Sequence, residues 1–277
     1  MPPLKERALR PSQQPAPAAP AAPVTRAAAA AAPKAKWQRP PPMAAFQYQL
    51  GEIFDPSKHL LPNVTLYVVD LVETSPAAVA AIKAAGGYPV CYFSVGYEDW
   101  RPDKADFPNA SLANAMGDWP GEKWVDFRHP GVLPVMRKRL ALCSDKGFLG
   151  AEADNTDILA LPTGIKGLTS ADQLKFLRDL ADAAHDNGLA FGLKNTLLQV
   201  PAMVGKADFA VNEACSQFKE CRLYKAFEDA GVAIFNIEYQ RAAFDRICPL
   251  AKAAGVVSIF KENDLKALPR TPCPGKA

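Results

Sequence analysis

Between residues 46 and 260 short apolar runs recur along the chain, and nearly every run ends in a polar side chain. Residues 46–50 alternate apolar with polar and predict a first strand. Residues 65–70 form a continuous, β-branched run, as expected of a strand covered on both faces. Residues 89–94, 148–153, 190–194, 208–212, 232–238 and 256–260 extend the series to eight predicted strands. Helical patterns lie between them. One starts at Thr74 or Ser75, has Pro76 in its first position and stops at Gly86. Another is amphipathic from about 129 to 146 and ends at Gly147, and a third opens on Thr169 with Asp172 in the capping-box position and runs to Gly188. Strands alternating with helices favour a parallel sheet. Eight such units favour closure into a single-domain α/β fold, a (β/α)8 TIM-like barrel. The connection 51–63 is too short for a regular crossover helix.

In such a barrel the active site assembles at the carboxyl ends of the strands. Those ends read, in order, Gln49, Asp70, Ser94 with Tyr97, Asp154 with Asn155, Lys194 with Asn195, Asn212 with Glu213, and Glu238 with Tyr239. Any one of them is explained as a polar loop start. The set is harder to dismiss, because Asp154, Lys194, Glu213 and Glu238 come from strands that would be neighbours. The fourth predicted strand runs from Phe148 into Glu152, Asp154 and Asp157, and buried carboxylates are costly unless paired. Glu152 lies two positions before Asp154 and points the same way, one layer down as support, whereas Asp157 reads as a loop residue. Convergent carboxylates suit glycoside hydrolysis, one as nucleophile or base and one as acid. A nearby lysine would keep one of them ionised. The long connection 95–127 carries Tyr97, Trp100, Phe107, Trp119 and Trp124. Aromatic faces in a polar loop fit sugar rings or form the loop's private core, the second reading being preferred for Phe107 and Trp124.

Composition changes the picture at the N-terminus. Residues 1–45 hold 15 Ala and 11 Pro and read as a disordered linker or tail. They carry seven basic residues against one acid, so the net charge of +3 conceals a remainder at −3. With no basic cluster outside the tail, nucleic acid is not an expected partner. The rest divides into a catalytic domain at 46–268 and a C-terminal tail at 269–277. No run approaches the ~20 apolar residues of a membrane span. The longest apolar run near the N-terminus, six alanines at 27–32, is short of the ~7–15-residue core of a secretory signal. His59, His129, His185 and the six cysteines show no zinc spacing, so neither a metal nor a cofactor is expected. Cys215 with Cys221 and Cys248 with Cys273 are candidate bridges, which fits an oxidising, extracellular or cell-surface setting. Cys91 and Cys143 read as core thiols.

Several stretches recur together in one known family. They are Phe46-Gln-Tyr-Gln-Leu50, Val69-Asp-Leu71 with Glu73-Thr-Ser75, Cys91-Tyr-Phe-Ser94 with Trp100-Arg-Pro-Asp103, and Trp119-Pro-Gly-Glu122-Lys-Trp124. Further on come Gly150-Ala-Glu-Ala-Asp-Asn155, Gly192-Leu-Lys-Asn195, Ala210-Val-Asn-Glu213 and Phe235-Asn-Ile-Glu-Tyr239. In these the chain resembles the endo-α-1,4-polygalactosaminidase family, glycoside hydrolase family 114. The resemblance spans nearly all of 46–260 and leaves the N-terminal tail outside. It implies a barrel enzyme, endo-acting on α-1,4-linked galactosamine-containing polysaccharide, with its catalytic pair on Asp154 and Glu213. Ala151 and Ala153 depart from the family's pattern, which usually has a branched apolar residue and Asp or Pro there. Asp154 is assigned as nucleophile and Glu213 as general acid/base. The candidate substrate-binding set is Gln49, Asp70, Tyr97, Trp100, Asn155, Lys194, Asn195, Glu238 and Tyr239. An acid-rich strand-end face would attract a cationic aminosugar polymer, and a monomer is expected. The competing readings are a non-catalytic carbohydrate-binding barrel and a glycosidase acting on another α-linked polysaccharide. A metal-dependent hydrolase is the least expected.

Overall fold

Among the described residues of the computed structural model, twelve strands follow one another: β1 (Phe46–Gln49), β2 (Leu66–Asp70), β3 (Tyr88–Ser94), β4 (Tyr97–Glu98), β5 (Leu112–Ala115), β6 (Glu122–Val125), β7 (Gly150–Asp154), β8 (Ala190–Lys194), β9 (Phe209–Glu213), β10 (Ala233–Glu238), β11 (Val256–Lys261) and β12 (Arg270–Pro272). The structure describes residues 36–274 apart from 118, 252 and 254. Nine strands form one sheet in the order β1-β2-β3-β7-β8-β9-β10-β11-β12, parallel throughout except for β12. The eight parallel strands are the eight that the sequence predicts. The helices are α1 (Pro56–His59), α2 (Pro76–Ala84), α3 (Val132–Asp145), α4 (Ser170–Asp186), α5 (Lys225–Asp229) and α6 (Arg241–Ala251). Ser75 caps α2 with Pro76 at its start, and Thr169 with Asp172 forms the capping box of α4. The short connection after β1 holds only the four-residue α1.

Strand alternation separates two cores. Phe46, Tyr48, Leu66, Val68, Phe209 and Phe235 face inward and fill the barrel. Val69, Cys91, Phe191 and Leu193 face outward onto Val79, Leu140 and Leu177 of the helices. Gly192 belongs to the inward set, and a Cβ there would lie 2.3 Å from the Phe209 ring. The glycine makes room for that ring inside the barrel.

The barrel closes without a ladder between β1 and β12. Arg270 Nε donates to Phe46 O at 2.7 Å, Gln47 Nε2 donates to Ala267 O at 2.6 Å, and the Leu50 and Gly51 amides share Leu265 O at 3.0 and 3.1 Å. A Cβ on Gly51 would meet Asp264 O at 1.6 Å, so the seam requires glycine there. Within the expected C-terminal tail, residues 270–272 form β12 on β11, and Cys273 is bridged to Cys248. Likewise, part of the predicted N-terminal tail packs on the barrel. The Trp37 ring stacks on His185 at 3.7 Å, and Trp37 Nε1 and Arg39 Nε donate to Asp208 at 3.0 and 2.9 Å. Residues 1–35 and 275–277 lie outside the described residues.

A three-stranded sheet, β4-β6-β5, is inserted between β3 and α3. Arg101 anchors it with a two-pronged pair to Asp70 at 2.9 and 2.6 Å and a bond to Glu98 at 3.0 Å. Arg139 of α3 holds Asp103 at 2.7 Å. Phe107 and Trp124 are buried with Met116, Val125 and Phe127, in the same layer that packs the helices on the sheet rather than in a core private to the loop.

All six cysteines are paired: Cys215–Cys221 and Cys248–Cys273 as expected, and Cys91–Cys143 in place of two core thiols. The tie joins β3 to α3 across 52 residues of chain, so neighbouring positions in sequence gave no sign of it. Closing a loop of that length corresponds to about 4 kcal/mol in the chain-entropy account. The Cys91→Ala/Cys143→Ala variant is expected to lose about 2–4 kcal/mol in urea unfolding, while the other two bridges stay intact by mass spectrometry.

Candidate active site

The inward parity that packs the barrel also brings charge to its mouth. Glu152 and Asp154 of β7, Lys194 of β8 and Glu213 of β9 all point inward. Lys194 Nζ lies 3.3 Å from Glu152 Oε1, 3.3 Å from Asp154 Oδ1 and 3.2 Å from Glu213 Oε2. The last two contacts share one nitrogen, so those two oxygens are at most 6.5 Å apart (3.3 plus 3.2). Exposure grades the three carboxyls: the side chain of Glu213 is 20 % exposed, Asp154 11 % and Glu152 0 %. Glu152 is the floor and Glu213 the rim.

Tyrosines complete the network. Tyr48 Oη donates to Glu152 Oε1 at 2.9 Å and accepts from Lys194 at 3.0 Å. Tyr92 Oη donates to Asp154 Oδ2 at 2.8 Å, and Tyr239 Oη donates to Glu213 Oε1 at 2.6 Å. Asn195 accepts from the Glu213 amide at 2.9 Å and donates to Glu213 Oε2 at 3.4 Å. Asn155 Nδ2 donates to Ser94 Oγ at 2.6 Å, while its buried Oδ1 has no partner among the described residues.

The residue after each charged strand end turns the chain sharply. Asn155, Asn195 and Ala214 have φ of 65°, 52° and 61°. Asn tolerates this region well and Ala poorly. Ala214 is kept there by its amide bond to Ile237 O at 2.7 Å and by Glu238, which accepts from the Ser216 amide at 2.7 Å.

Burial acts on these groups in opposite directions. It opposes the charge of Lys194, but Asp154, Glu213 and Glu152 outweigh it and hold the ammonium well above the usual lysine range. Burial pushes Glu152 up to about 7, with the Lys194 charge pulling against it. Tyr48 and Tyr239 are likewise pushed up, by burial first and then by Glu152 and Glu213 respectively, so both remain donors.

Tyr48, Leu50, Tyr92, Trp119, Glu122, Asp154, Asn155, Lys194, Glu213 and Leu265 line an open cleft. Of the candidate catalytic and substrate-binding residues, Asp154, Asn155, Lys194, Asn195, Glu213 and Tyr239 meet in this network. The others lie elsewhere. Gln49 faces outward to His59 Nδ1 at 2.8 Å, because Tyr48 and Leu50 on either side face in. Glu238 also faces outward, bonded to Asn236 at 3.0 Å. Asp70 is held by Arg101, Tyr97 packs edge-on against Phe107, and Trp100 is 39 % exposed beyond the lining of the cleft. Ser94 is the register partner of Asp154, and strand parity counted back two residues from it would have found Tyr92, which lies opposite Glu152. The position of Trp119 and Glu122 depends on how the inserted sheet folds back.

A parallel barrel with carboxyls converging on an open cleft at the strand ends is a layout that suits glycoside hydrolysis, and comparison with known proteins shows the class to be a glycoside hydrolase. Residues 26–275 match the glycoside-hydrolase family GH114, and the chain belongs to that family. The match begins within the N-terminal segment that the sequence reading left outside. The structure of Ega3 from Aspergillus fumigatus, in complex with galactosamine, superposes with a TM-score of 0.80 at 30 % identity, covering 87 % of this chain and 99 % of that one. The glycoside hydrolase domain of PelA from Pseudomonas aeruginosa shares the fold, with a TM-score of 0.63, 18 % identity, and 81 % and 96 % coverage. A maltogenic α-amylase from Thermotoga neapolitana is similar in fold only, with a TM-score of 0.52, 10 % identity, and 84 % and 72 % coverage. The comparison with curated proteins finds no match.

The raised Glu152 gives stability a pH dependence of definite sign. Its folded value, about 7, lies above its unfolded one, so the native state binds the extra proton. Its contribution is fully present below the unfolded value and is lost as pH rises through about 7. Glu152→Gln removes that loss. Urea unfolding is expected to favour the variant over wild type more at about pH 8 than at about pH 5.

Proposed function

We propose that the protein is an endo-acting hydrolase of α-1,4-linked galactosamine-containing polysaccharide, with Asp154 as nucleophile and Glu213 as general acid/base. One observation carries this reading: oxygens of Asp154 and Glu213, from two strand ends, sit at most 6.5 Å apart and both line the open cleft. Retaining glycosidases hold their carboxyls ~5–5.5 Å apart and inverting ones ~6.5–9.5 Å; a nucleophilic Asp154 makes this a retaining, double-displacement reading, with which the bound on these two oxygens is compatible. The more buried Asp154, bonded by Tyr92 and Lys194, suits a group that stays ionised to attack. The more exposed Glu213 suits exchange of a proton with leaving group and water.

The aminosugar assignment draws support from the galactosamine in the Ega3 structure and from the acidic cleft, which holds Glu122 besides the pair. A cationic polymer would be concentrated at such a cleft. Trp119 offers an apolar face to a sugar ring. Three disulfides support an extracellular or cell-surface location. Among the described residues no helix is long and apolar enough to cross a membrane.

Asp154→Asn and Glu213→Gln are each expected to lower reducing-end release from an α-1,4-galactosamine polymer by about 10²–10⁴-fold, with the fold retained by circular dichroism. Near-wild-type hydrolysis by both variants would rule out the pair. NMR of early products should show the α-anomer first, and initial β-product would rule out the retaining course.

A further inference from the structure

Lys194 projects from β8 between the strands that bear the pair, and its side chain is 1 % exposed. The ionisable groups facing it are Tyr48 from β1, Tyr92 from β3, Glu152 and Asp154 from β7, Glu213 from β9 and Tyr239 after β10. Lys194 is the one cation among them. A lone ammonium there would be strongly destabilising, as would the carboxylates without it. Both members of the pair touch the same Nζ, and this links charge on one to charge on the other.

Resting on the reading of Asp154 and Glu213 given above, we propose that Lys194 is the shared counter-ion of the pair, balancing Asp154 before the glycosidic bond breaks and Glu213 afterwards, while Glu152 beneath it stays protonated. In the first displacement the Asp154 carboxylate bonds to the anomeric carbon as the bond to the leaving oxygen breaks. The Glu213 proton passes to that oxygen. Asp154 is then a neutral ester and Glu213 an anion. In the second, Glu213 takes a proton from water, whose oxygen bonds the anomeric carbon as the ester bond breaks and returns its electron pair to Asp154. One negative charge has moved between oxygens 3.3 and 3.2 Å from Nζ, and the ammonium faces one anion of the pair at every stage. An ionised Glu152 would add a competing anion at 3.3 Å and draw the lysine to the floor. Its full burial and its Oε2, buried with no partner among the described residues, favour the neutral acid. Lys194 acts through the two carboxylates and is therefore a positioning residue.

The test uses Lys194→Cys, made in a chain whose own six cysteines are all bridged. Activity on the galactosamine polymer is measured from about pH 4 to 9 before and after aminoethylation, which restores an ammonium on a thioether stem. The unmodified variant is expected to lose about 10²-fold or more in kcat, with KM changed less than about threefold. The acidic limb of its kcat/KM profile should rise by about one pH unit or more, because Asp154 has lost the charge that favours its ionised form. Aminoethylation should return the limb towards wild type, and a neutral methylthio adduct should not. An unmoved limb, or equal rescue by both adducts, would overturn the proposal. If Lys194→Cys does not fold, Glu152→Gln/Lys194→Met removes cation and lower carboxyl together and carries the same pH readout. Failure of both to fold assigns the lysine a structural role and overturns the proposal too. Wild type and Asp154→Asn run alongside. An inert wild type or a fully active Asp154→Asn sinks the reading of substrate and catalytic pair, whereas an unmoved limb in an otherwise normal enzyme sinks only the role of Lys194.

Discussion

The contact of one ammonium with three carboxyls, all within 3.3 Å, is the constraint around which the mouth of the barrel is arranged. Charges of this density cannot be buried singly, and each is tolerated because the others are present. The arrangement requires β7, β8 and β9 to lie side by side with their inward residues matched, which the parallel register provides: Glu152 lies opposite Gly192, and Lys194 opposite Val211, two residues before Glu213. It also requires Tyr48, Tyr92 and Tyr239 as hydrogen-bond donors, since a carboxylate oxygen left bare in the interior would be costly.

Other parts of the molecule support that cluster at a distance. The strand ends leave the barrel through left-handed turns at Asn155, Asn195 and Ala214, and at Ala214 the backbone is strained. Glu238 and the Cys215–Cys221 bridge hold the following loop, so the position of Glu213 is tied to groups on the outer face of the sheet. On the other side, Asp70 and Glu98 hold Arg101 and thereby the inserted sheet that brings Trp119 and Glu122 to the cleft. Asp70 is thus joined to the site through architecture.

The two ends of the described chain have complementary roles. Residues 265–272 close the seam beside β1 through loop carbonyls and the side chains of Gln47 and Arg270, and Leu265 from this segment also lines the cleft. Trp37 and Arg39 bind Asp208, which precedes β9 and so lies at the amino ends of the strands, away from the cleft. Where a segment adds little apolar area, as residues 36–45 do, a few aromatic and charged contacts fix it.

The eight parallel strands, the capped helices and the acids at strand ends were legible in the sequence, because strand and helix periods and capping chemistry are local. Glu152 beneath Asp154 was legible for the same reason, the two-residue repeat of a strand. The sorting of strand-end residues was not. Gln49 and Glu238 are polar and terminal like Asp154, but their parity turns them to the outer face, and parity is known only once one inward residue on the same strand is identified. Asp70 looked like a site carboxylate until Arg101, 31 residues on, was found against it. The pairing of Cys91 with Cys143 and the strand at 270–272 likewise depend on contacts between distant segments. The sequence by itself determined which residues bear charge and the strand ends at which they lie. The tertiary structure alone decided that Asp154 and Glu213 share one lysine, because that follows from three strands meeting in register.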